Sequence, residues 1–335
     1  MHINPDITDL ITTITNGHLL TKKELISLLT LPLPSPETNY LMATANTINH
    51  TATNHTAEVH AQIGINSAPC PKNCQFCSFA AQNQIFTTKH ELTEKQLIQQ
   101  AHQAEKHGAN AIYLMTTGDY PIDRFIKLSQ TIQPQLHPDT ILIANIGDFT
   151  LEQAKHLKDI GYTGIYHAIR MGEGTDTHIP ITTRKSTIKN AQNAGLLIGT
   201  CVEPIGPEHT PADIADKIIL ARDINPVFSG AMRRIPLPNT HFEQYGMLTE
   251  YQLAYLVAIT RLAMGTTLAG NCTHEPNMPS ALSGANLFWA ETGTNPRDIQ
   301  KETSKGRGID IPTCQHMLTE AQYTIRKGPS HIFSP

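Results

Sequence analysis

The sequence has few of the features that mark membrane, secreted or nucleic-acid-binding proteins. No apolar run approaches the roughly 20 residues of a membrane-spanning helix, and the N-terminal stretch MHINPDITDL has no basic segment ahead of an apolar one. We therefore expect neither a membrane anchor nor a signal peptide. Charged residues make up only 16% of the chain, no Lys/Arg run occurs, and the net charge is -4. This balance predicts no nucleic-acid partner.

Cysteine is scarce and unevenly placed. The 335 residues include six cysteines, and three of them, Cys70, Cys74 and Cys77, lie in the short stretch CPKNCQFC. Clustered cysteines indicate metal or redox chemistry in a reducing compartment, and a disulfide framework would spread them along the chain. We therefore expect a cytoplasmic protein that carries a metal centre.

Apolar strand-like segments alternate with amphipathic helical segments along most of the chain. The threonines of the patterns T-x-x-Q at 93–96 and 150–153 are predicted to cap helices, and glycines 108 and 161 are predicted to end them. The predicted strands are 57–66, 111–115, 140–145, 164–169, 196–202, 227–235, 266–272 and 285–290.

This alternation predicts an α/β fold with a parallel sheet. Eight strand–helix units favour a closed (β/α)8 barrel of the TIM type, and an open doubly wound sheet is the alternative. We expect an N-terminal helical extension (1–55), the barrel (56–295) and a C-terminal helical tail that covers the barrel (296–335). In such a barrel the functional residues lie at the carboxyl ends of the strands. The cysteine stretch follows the first predicted strand and is placed there.

The number of clustered cysteines restricts the metal centre. Structural zinc needs four ligands, commonly in two separated pairs, and a ferredoxin-type cluster needs four cysteines. A [4Fe–4S] cluster that is held by Cys70, Cys74 and Cys77 leaves one iron without a protein ligand. Such an iron can bind a reacting molecule.

The C-x3-C-x2-C spacing on the loop after the first barrel strand resembles that of the radical S-adenosylmethionine superfamily. The resemblance implies that Cys70, Cys74 and Cys77 hold a [4Fe–4S] cluster whose open iron binds S-adenosylmethionine. It also implies that the reduced cluster cleaves this cofactor to a 5'-deoxyadenosyl radical, which abstracts hydrogen from a small-molecule substrate. Phe76 matches the aromatic residue that packs near the adenine in that family. An electron donor such as flavodoxin or ferredoxin is an implied partner.

Other strand ends carry residues that suit the same cofactor. The resemblance places Gly118 and Asp119, after the second strand, near the amino group of the methionine moiety, although a simple strand-to-helix turn also fits them. Arg170 and Glu173, after the fourth strand, suit the carboxylate and ribose of the cofactor or, alternatively, a rim ion pair. Arg184 offers a guanidinium that can grip a carboxylate with two hydrogen bonds.

The arrangement from residue 63 to about residue 323 is similar to the biotin synthase-like branch, most clearly at ITTR (181–184) and SGANLFWAETGTNPRD (283–298). Biotin synthases carry a second, [2Fe–2S] cluster on three cysteines and one arginine. The matching positions here are Leu114 or Met115, Ile143, Gly199 and Asn271, none of which is a suitable ligand. The segments YHAIRMGEG, NCTHEPN and ETGTNPRD resemble the maturases that build hydrogenase cofactors.

These observations favour a radical S-adenosylmethionine enzyme that acts on a small, anionic cofactor precursor. Arg233 and Arg234, near the end of the sixth strand, are candidates to hold its carboxylate. Sulfur insertion of the biotin or lipoyl synthase type, with an auxiliary cluster, is one alternative, and a non-catalytic iron–sulfur carrier is another. Cys201, Cys272 and Cys314 remain open as ligands of a second cluster. We expect Cys201 and Cys272 to line the substrate cavity.

Overall fold

Eight parallel strands form a closed ring in which each strand pairs with its neighbour in the chain. The structure is a computed structural model that describes residues 3–334, so residues 1, 2 and 335 of the predicted terminal segments lie outside the described part. The strands are β1 Thr56–Gly64, β2 Ala111–Met115, β3 Leu142–Asn145, β4 Tyr162–Tyr166, β5 Leu197–Gly199, β6 Phe228–Arg233, β7 Gly270–Thr273 and β8 Leu287–Gly293. Because β8 pairs with β1 and β6 pairs with β7, the ring is complete. The predicted (β/α)8 barrel is confirmed, and the open sheet is excluded.

Helices surround this ring and precede it. Three helices come before the first strand, and α4 to α9 follow successive strands. The helices are α1 Pro5–Thr15, α2 Lys22–Leu29, α3 Pro36–Ala52, α4 Glu94–Lys106, α5 Ile122–Ile132, α6 Leu151–Ile160, α7 Ile181–Asn193, α8 Pro211–Asp223, α9 Glu250–Ala263, α10 Met278–Ala281 and α11 Ile311–Glu320. No described helix is both long and apolar enough to cross a membrane.

Local capping signals set the ends of the helices. Thr93 and Thr150 each accept a hydrogen bond from the backbone N–H of the glutamine three residues later, and that glutamine side chain bonds back to the threonine N–H. These reciprocal bonds satisfy donors that the first helical turn leaves free. Gly161 ends α6 with φ of 113°, a left-handed conformation in which a residue with a Cβ is strained. Both capping boxes and the stop at Gly161 confirm the sequence prediction.

Several strand limits differ from the prediction. The predicted strand 164–169 runs from Tyr162 to Tyr166, so its last residues lie in the following loop. The predicted strand 196–202 is interrupted at residues 200–201 and resumes as Val202–Ile205, which pairs with β6. This break turns the backbone where Cys201 is placed, inside the barrel.

The last part of the C-terminal tail, residues 330–333, lies at the amino end of the barrel. The backbone N–H of His331 and the hydroxyl of Ser330 donate to Glu58, close to the start of β1, at 2.7 and 2.5 Å. The ring of Phe333 packs against those of Tyr113 and Phe228. These last residues therefore close the end of the barrel opposite to the cysteine loop, whereas Pro296 and Arg297, at the start of the predicted tail, lie at the mouth.

Candidate active site

The cysteine loop at the end of β1 is tied to two other loops of the barrel mouth. Its backbone bonds reach the segment after β4 and the segment after β8, which places the loop across the mouth. The three bonds are Gln75 N–H to the Asp176 carbonyl at 2.9 Å, His178 N–H to the Lys72 carbonyl at 2.7 Å, and Ser78 N–H to the Pro296 carbonyl at 2.8 Å. The position of the loop is therefore set by the closed barrel.

The three loop thiols are near one another without converging on a single point. Among the described residues, at least two of the three sulfurs of Cys70, Cys74 and Cys77 lie more than 4.8 Å apart. One tetrahedral zinc ion, with Zn–S bonds of about 2.3 Å, would hold its sulfurs roughly 4 Å apart. Among the described residues the three thiols therefore do not form a ready site for a single ion. In the metal-free chain, burial raises the pKa of Cys70 to about 12.

A cavity with an empty volume of about 940 Å³ opens beside the loop, at the carboxyl ends of the strands. Seven of the nine predicted site residues line it: Cys70, Cys74, Phe76, Cys77, Gly118, Arg170 and Arg184. Asp119 is exposed and outside the lining, although its charge acts on the Cys70 thiol. Glu173 lies behind the two arginines. Seven predicted residues therefore meet at the barrel mouth, and Asp119 and Glu173 lie outside the cavity wall.

Arg170, Glu173 and Arg184 form one buried charge network. Nη1 of Arg170 lies 3.8 Å from Glu173 Oε2, and Nε of Arg184 lies 3.4 Å from the same oxygen. Thr177 donates its hydroxyl hydrogen to the other oxygen of Glu173 at 2.7 Å. Burial alone would raise the pKa of Glu173, but the two guanidinium groups hold it below its usual value. Glu173 is therefore an anion that fixes both arginines.

Two nitrogen atoms of this network have no hydrogen-bond partner. Nη1 of Arg170 and Nε of Arg184 are both buried and unbonded, because their separations from Glu173 are long or poorly aligned for a hydrogen bond. A buried donor without a partner is costly. Since both side chains line the cavity, the positive charges of the two guanidinium groups favour an anion there.

Arg184 is held from its other side by a second buried pair. Asp148 accepts from Arg184 Nη1 at 3.4 Å, from the Thr187 hydroxyl at 2.9 Å, and contacts His167 Nε2 at 3.2 Å. Burial lowers the pKa of His167 to about 4. Although burial would raise the pKa of Asp148, its bonds to His167 and Arg184 bring it well below the usual range. A neutral histidine and an ionised aspartate therefore orient the guanidinium.

Glu203, in the resumed part of β5, is a buried acid on the cavity wall. The Tyr166 hydroxyl donates a short hydrogen bond to it, and Nε of Arg170 lies 3.8 Å from its carboxylate. Burial raises the pKa of Glu203, and the opposing effect of Arg170 is smaller. This carboxyl group is therefore less acidic than Glu173 although both face the same arginine.

A polar chain at the end of β1, β3 and β8 was not singled out by the sequence reasoning. Asn145 donates to Gln62 at 2.7 Å, Gln62 donates to Glu291 at 3.1 Å, and Arg297 bonds both oxygens of Glu291 at 2.6 and 2.7 Å. Gln62, Asn145 and Arg297 line the cavity. The available signal was a polar residue on the inward face of a strand, two residues before its end, as in Gln62 of β1.

Arg233 and Arg234 line the cavity but already have partners. Arg233 pairs with Glu275 and donates to the Leu248 carbonyl at 2.7 Å. Arg234 bonds both oxygens of Glu208. The expectation that this pair holds a substrate carboxylate is not supported, because glutamates neutralise both guanidinium groups.

The residues matched to the second cluster of biotin synthases do not form a ligand set. The side-chain amide of Asn271 points away from the interior and donates to the carbonyls of Val257 and Gly284 at 3.3 and 2.9 Å. Its neighbour Cys272 faces inward and, with Cys201, lies in the aromatic interior of the barrel. Neither thiol lines the cavity, so that expectation is wrong; His274 does line it. Cys314 is buried on α11, where its thiol contacts the Trp289 carbonyl.

Comparisons with known proteins agree with this geometry. No protein-family model matches the chain. The chain is 24% identical to the biotin synthase of Brachyspira hyodysenteriae over 327 residues, which cover 93% of this chain and 92% of that protein. It is 30% identical over 231 residues to the biotin synthase of Crocosphaera subtropica and 28% identical over 200 residues to that of Picosynechococcus. In these two cases the chain spans only 58% and 53% of the relative's length.

Solved structures share the fold at low identity. The structure of the FeFe-hydrogenase maturase of Carboxydothermus hydrogenoformans matches 98% of this chain and 80% of its own length, with a TM-score of 0.79 and 15% identity. A methylornithine synthase structure matches 96% of this chain and 98% of its own length, with a TM-score of 0.75 and 14% identity. At these identities the likeness is one of fold.

Proposed function

We propose that this chain, a member of the biotin synthase-like branch of the radical S-adenosylmethionine superfamily, holds a [4Fe–4S] cluster on Cys70, Cys74 and Cys77 and cleaves S-adenosylmethionine at the barrel mouth. The observation that carries the proposal is the loop of three thiols beside two buried guanidinium groups with unpartnered nitrogens, all on one cavity wall.

The residues present fit both groups. Three soft thiolate ligands suit iron–sulfur chemistry, and the three thiols do not converge on a single-ion site. S-adenosylmethionine carries a carboxylate, and the cationic side chains of Arg170 and Arg184 line the cavity as its counter-charges. Bound together, the cluster and the cofactor would supply a 5'-deoxyadenosyl radical for hydrogen abstraction.

The protein's own part is to bind, orient and exclude water. Glu173 fixes the two guanidinium groups, and Asp148 fixes Arg184 from behind. Phe76 presents an aromatic side chain to the cavity, where an adenine can pack. Gly118 lies on the same cavity wall, close to the Lys72 side chain. Each of these residues acts before any bond is broken, by positioning the cofactor.

The substrate that we propose is a small polar cofactor precursor, as in the hydrogenase maturases that the chain resembles. Its support is the hydrogen-bonded chain of Asn145, Gln62, Glu291 and Arg297, which gives the cavity donors and acceptors beside the thiol loop. Sulfur insertion of the biotin synthase type is disfavoured, because the positions matched to its second cluster carry no suitable ligands.

The test is reductive cleavage of S-adenosylmethionine by the full chain after anaerobic cluster reconstitution. We expect 5'-deoxyadenosine and methionine on reduction, more of both when the correct precursor is added, and none in Cys74→Ser. The matched control is Cys314→Ser, a buried thiol away from the cavity, which should retain cleavage. A protein that binds a cluster but never cleaves the cofactor would be an iron–sulfur carrier, and the proposal would fail.

The physiological reductant in this proposal is a flavodoxin or ferredoxin in the reducing cytoplasm. Cys74 and Cys77 are only partly buried, so the loop can be approached from solvent. Reduced flavodoxin, used in place of a chemical reductant such as dithionite, should support the same release of 5'-deoxyadenosine.

A further inference from the structure

A second group of metal-ligand side chains lies inside the barrel, apart from the cysteine loop. Cys201 sits at the break in β5, Cys272 in β7, and His274 directly after β7. The two sulfurs are 2.8 Å apart, and one ligand atom from each of the three residues lies within 4.8 Å of the others. Among the described residues this is the single group with such convergence.

His274 gives an independent indication of a ligand. Its Nε2 atom is buried and has no hydrogen-bond partner. The ring is held in place by stacking on Trp289, with ring centroids 4.4 Å apart, and by contact with Tyr166 at 5.0 Å. A fixed, buried imidazole nitrogen normally has a partner, because an unbonded one loses its interaction with water without replacement.

We propose that Cys201, Cys272 and His274 bind one zinc ion. Two thiolates and a neutral imidazole are ligands that zinc prefers. The positive charge of the ion balances the negative charges of the two thiolates, so the site carries no net charge among the aromatic rings of the interior. Zn–S bonds of about 2.3 Å would place the sulfurs roughly 3.8 Å apart, which small rotations of the two side chains provide.

Three protein ligands leave a fourth position on the ion. His274 and Tyr166 line the mouth cavity, whereas the two cysteines lie beneath it. The fourth position therefore belongs to a water molecule or to a substrate atom that enters from that cavity, which is the pattern of zinc sites that act on a bound molecule. This inference does not depend on the proposed chemistry of the cysteine loop.

A disulfide between Cys201 and Cys272 explains fewer of these observations than a zinc ion does. It would consume both thiols and leave the His274 nitrogen without a partner. A [2Fe–2S] cluster would need a fourth protein ligand, and among residues 3–334 no further His, Cys, Asp or Glu has a ligand atom within 4.8 Å of all three.

The test uses the full chain with Cys70, Cys74 and Cys77 all replaced by Ser, so that the loop cannot bind metal. Titration with Co²⁺, a spectroscopic substitute for zinc, should give one equivalent of bound ion with a thiolate-to-cobalt charge-transfer band, and zinc should displace it. The band should be lost with Cys201→Ser and with His274→Phe, which retains the stacking ring. Cys314→Ser in the same background is the matched control and should keep the band.

Folding of each variant is checked by circular dichroism. Should the Cys201 variant not fold, the His274 variant and the rise in the background protein's Tm on addition of zinc decide the question, since zinc that binds only the folded state raises Tm. Absence of the cobalt band overturns the proposal. So does a Cys201–Cys272 disulfide found by mass spectrometry under non-reducing conditions, or iron with acid-labile sulfide in this background.

Discussion

Replacement of Arg170 by Gln should weaken S-adenosylmethionine binding and also cost stability, because Glu173 and Glu203 lose the charge that they face. The Arg170 side chain is 24% exposed, and its separations from Glu173 and Glu203 are both 3.8 Å, too long for hydrogen bonds. Its Nη1 atom has no partner within the chain. The guanidinium therefore makes no side-chain hydrogen bond to the described residues of the protein, and the Arg170 side chain lines the cavity.

The expected magnitude follows from the bond that the ligand would gain. A hydrogen bond to a charged group contributes about 1.5–3 kcal/mol, and each 1.4 kcal/mol is tenfold in affinity, so the dissociation constant should rise by about 10- to 140-fold. The measurement is equilibrium binding of S-adenosylmethionine to anaerobically reconstituted protein with equal iron content in each variant.

Arg233→Gln is the matched control. Arg233 lines the same cavity, but its guanidinium is occupied by Glu275 and the Leu248 carbonyl. We expect this variant to lose stability and to retain its affinity within a few-fold. An unchanged dissociation constant in Arg170→Gln, at full iron content, would refute the assignment of Arg170 to the cofactor carboxylate.

Three further predictions concern the loop, the buried histidine and the cavity wall. Cys74→Ser should bind less iron on reconstitution and release no 5'-deoxyadenosine; normal iron content with full activity would contradict its role as a ligand. Burial lowers the pKa of His167 to about 4, below the ordinary value of about 6.5. The neutral imidazole therefore contributes its full stability above about pH 6.5. This contribution is lost as the pH falls toward 4, by up to about 3 kcal/mol. Urea unfolding at pH 7 and pH 5 should therefore show a smaller loss in His167→Asn than in the wild type, whereas exposed His156→Asn should behave as the wild type. A Cβ on Gly147 would lie 2.4 Å from the Gly118 carbonyl oxygen. Gly147→Ala should therefore shift the segment after β2 and lower the free energy of unfolding by about 1–3 kcal/mol. An unchanged free energy of unfolding and unchanged cofactor affinity would show that this segment moves without cost.

The barrel was predictable because its signals are local. Most residues of the strands are buried on both faces, and strands such as β2 (AIYLM) are short apolar runs, which is typical of parallel sheets under helices. Capping residues such as Thr93 and Thr150 act within three residues of their partners. The cysteine loop was equally visible, since all three thiols lie in one short stretch after β1.

What the sequence could not supply was the direction and pairing of individual side chains. Neighbouring residues of a strand face opposite sides of the sheet, so an error of one residue exchanges the two faces. Asn271 points out of the barrel, and Cys272 points into it. The break in β5 at residues 200–201 has no sequence signal that we could identify, and it decides where Cys201 lies. Likewise, the glutamates that occupy Arg233 and Arg234 come from distant loops, Glu275 and Glu208.

The three backbone bonds that position the cysteine loop have a consequence for biogenesis. They reach Asp176, His178 and Pro296, so the loop acquires its final shape only after nearly the whole barrel has been synthesised and closed. We expect iron delivery to be a post-translational step, for which the delivery machinery receives a folded protein. A chain that ends before Pro296 should accordingly take up iron poorly during anaerobic reconstitution, even though all three thiols of the loop are present.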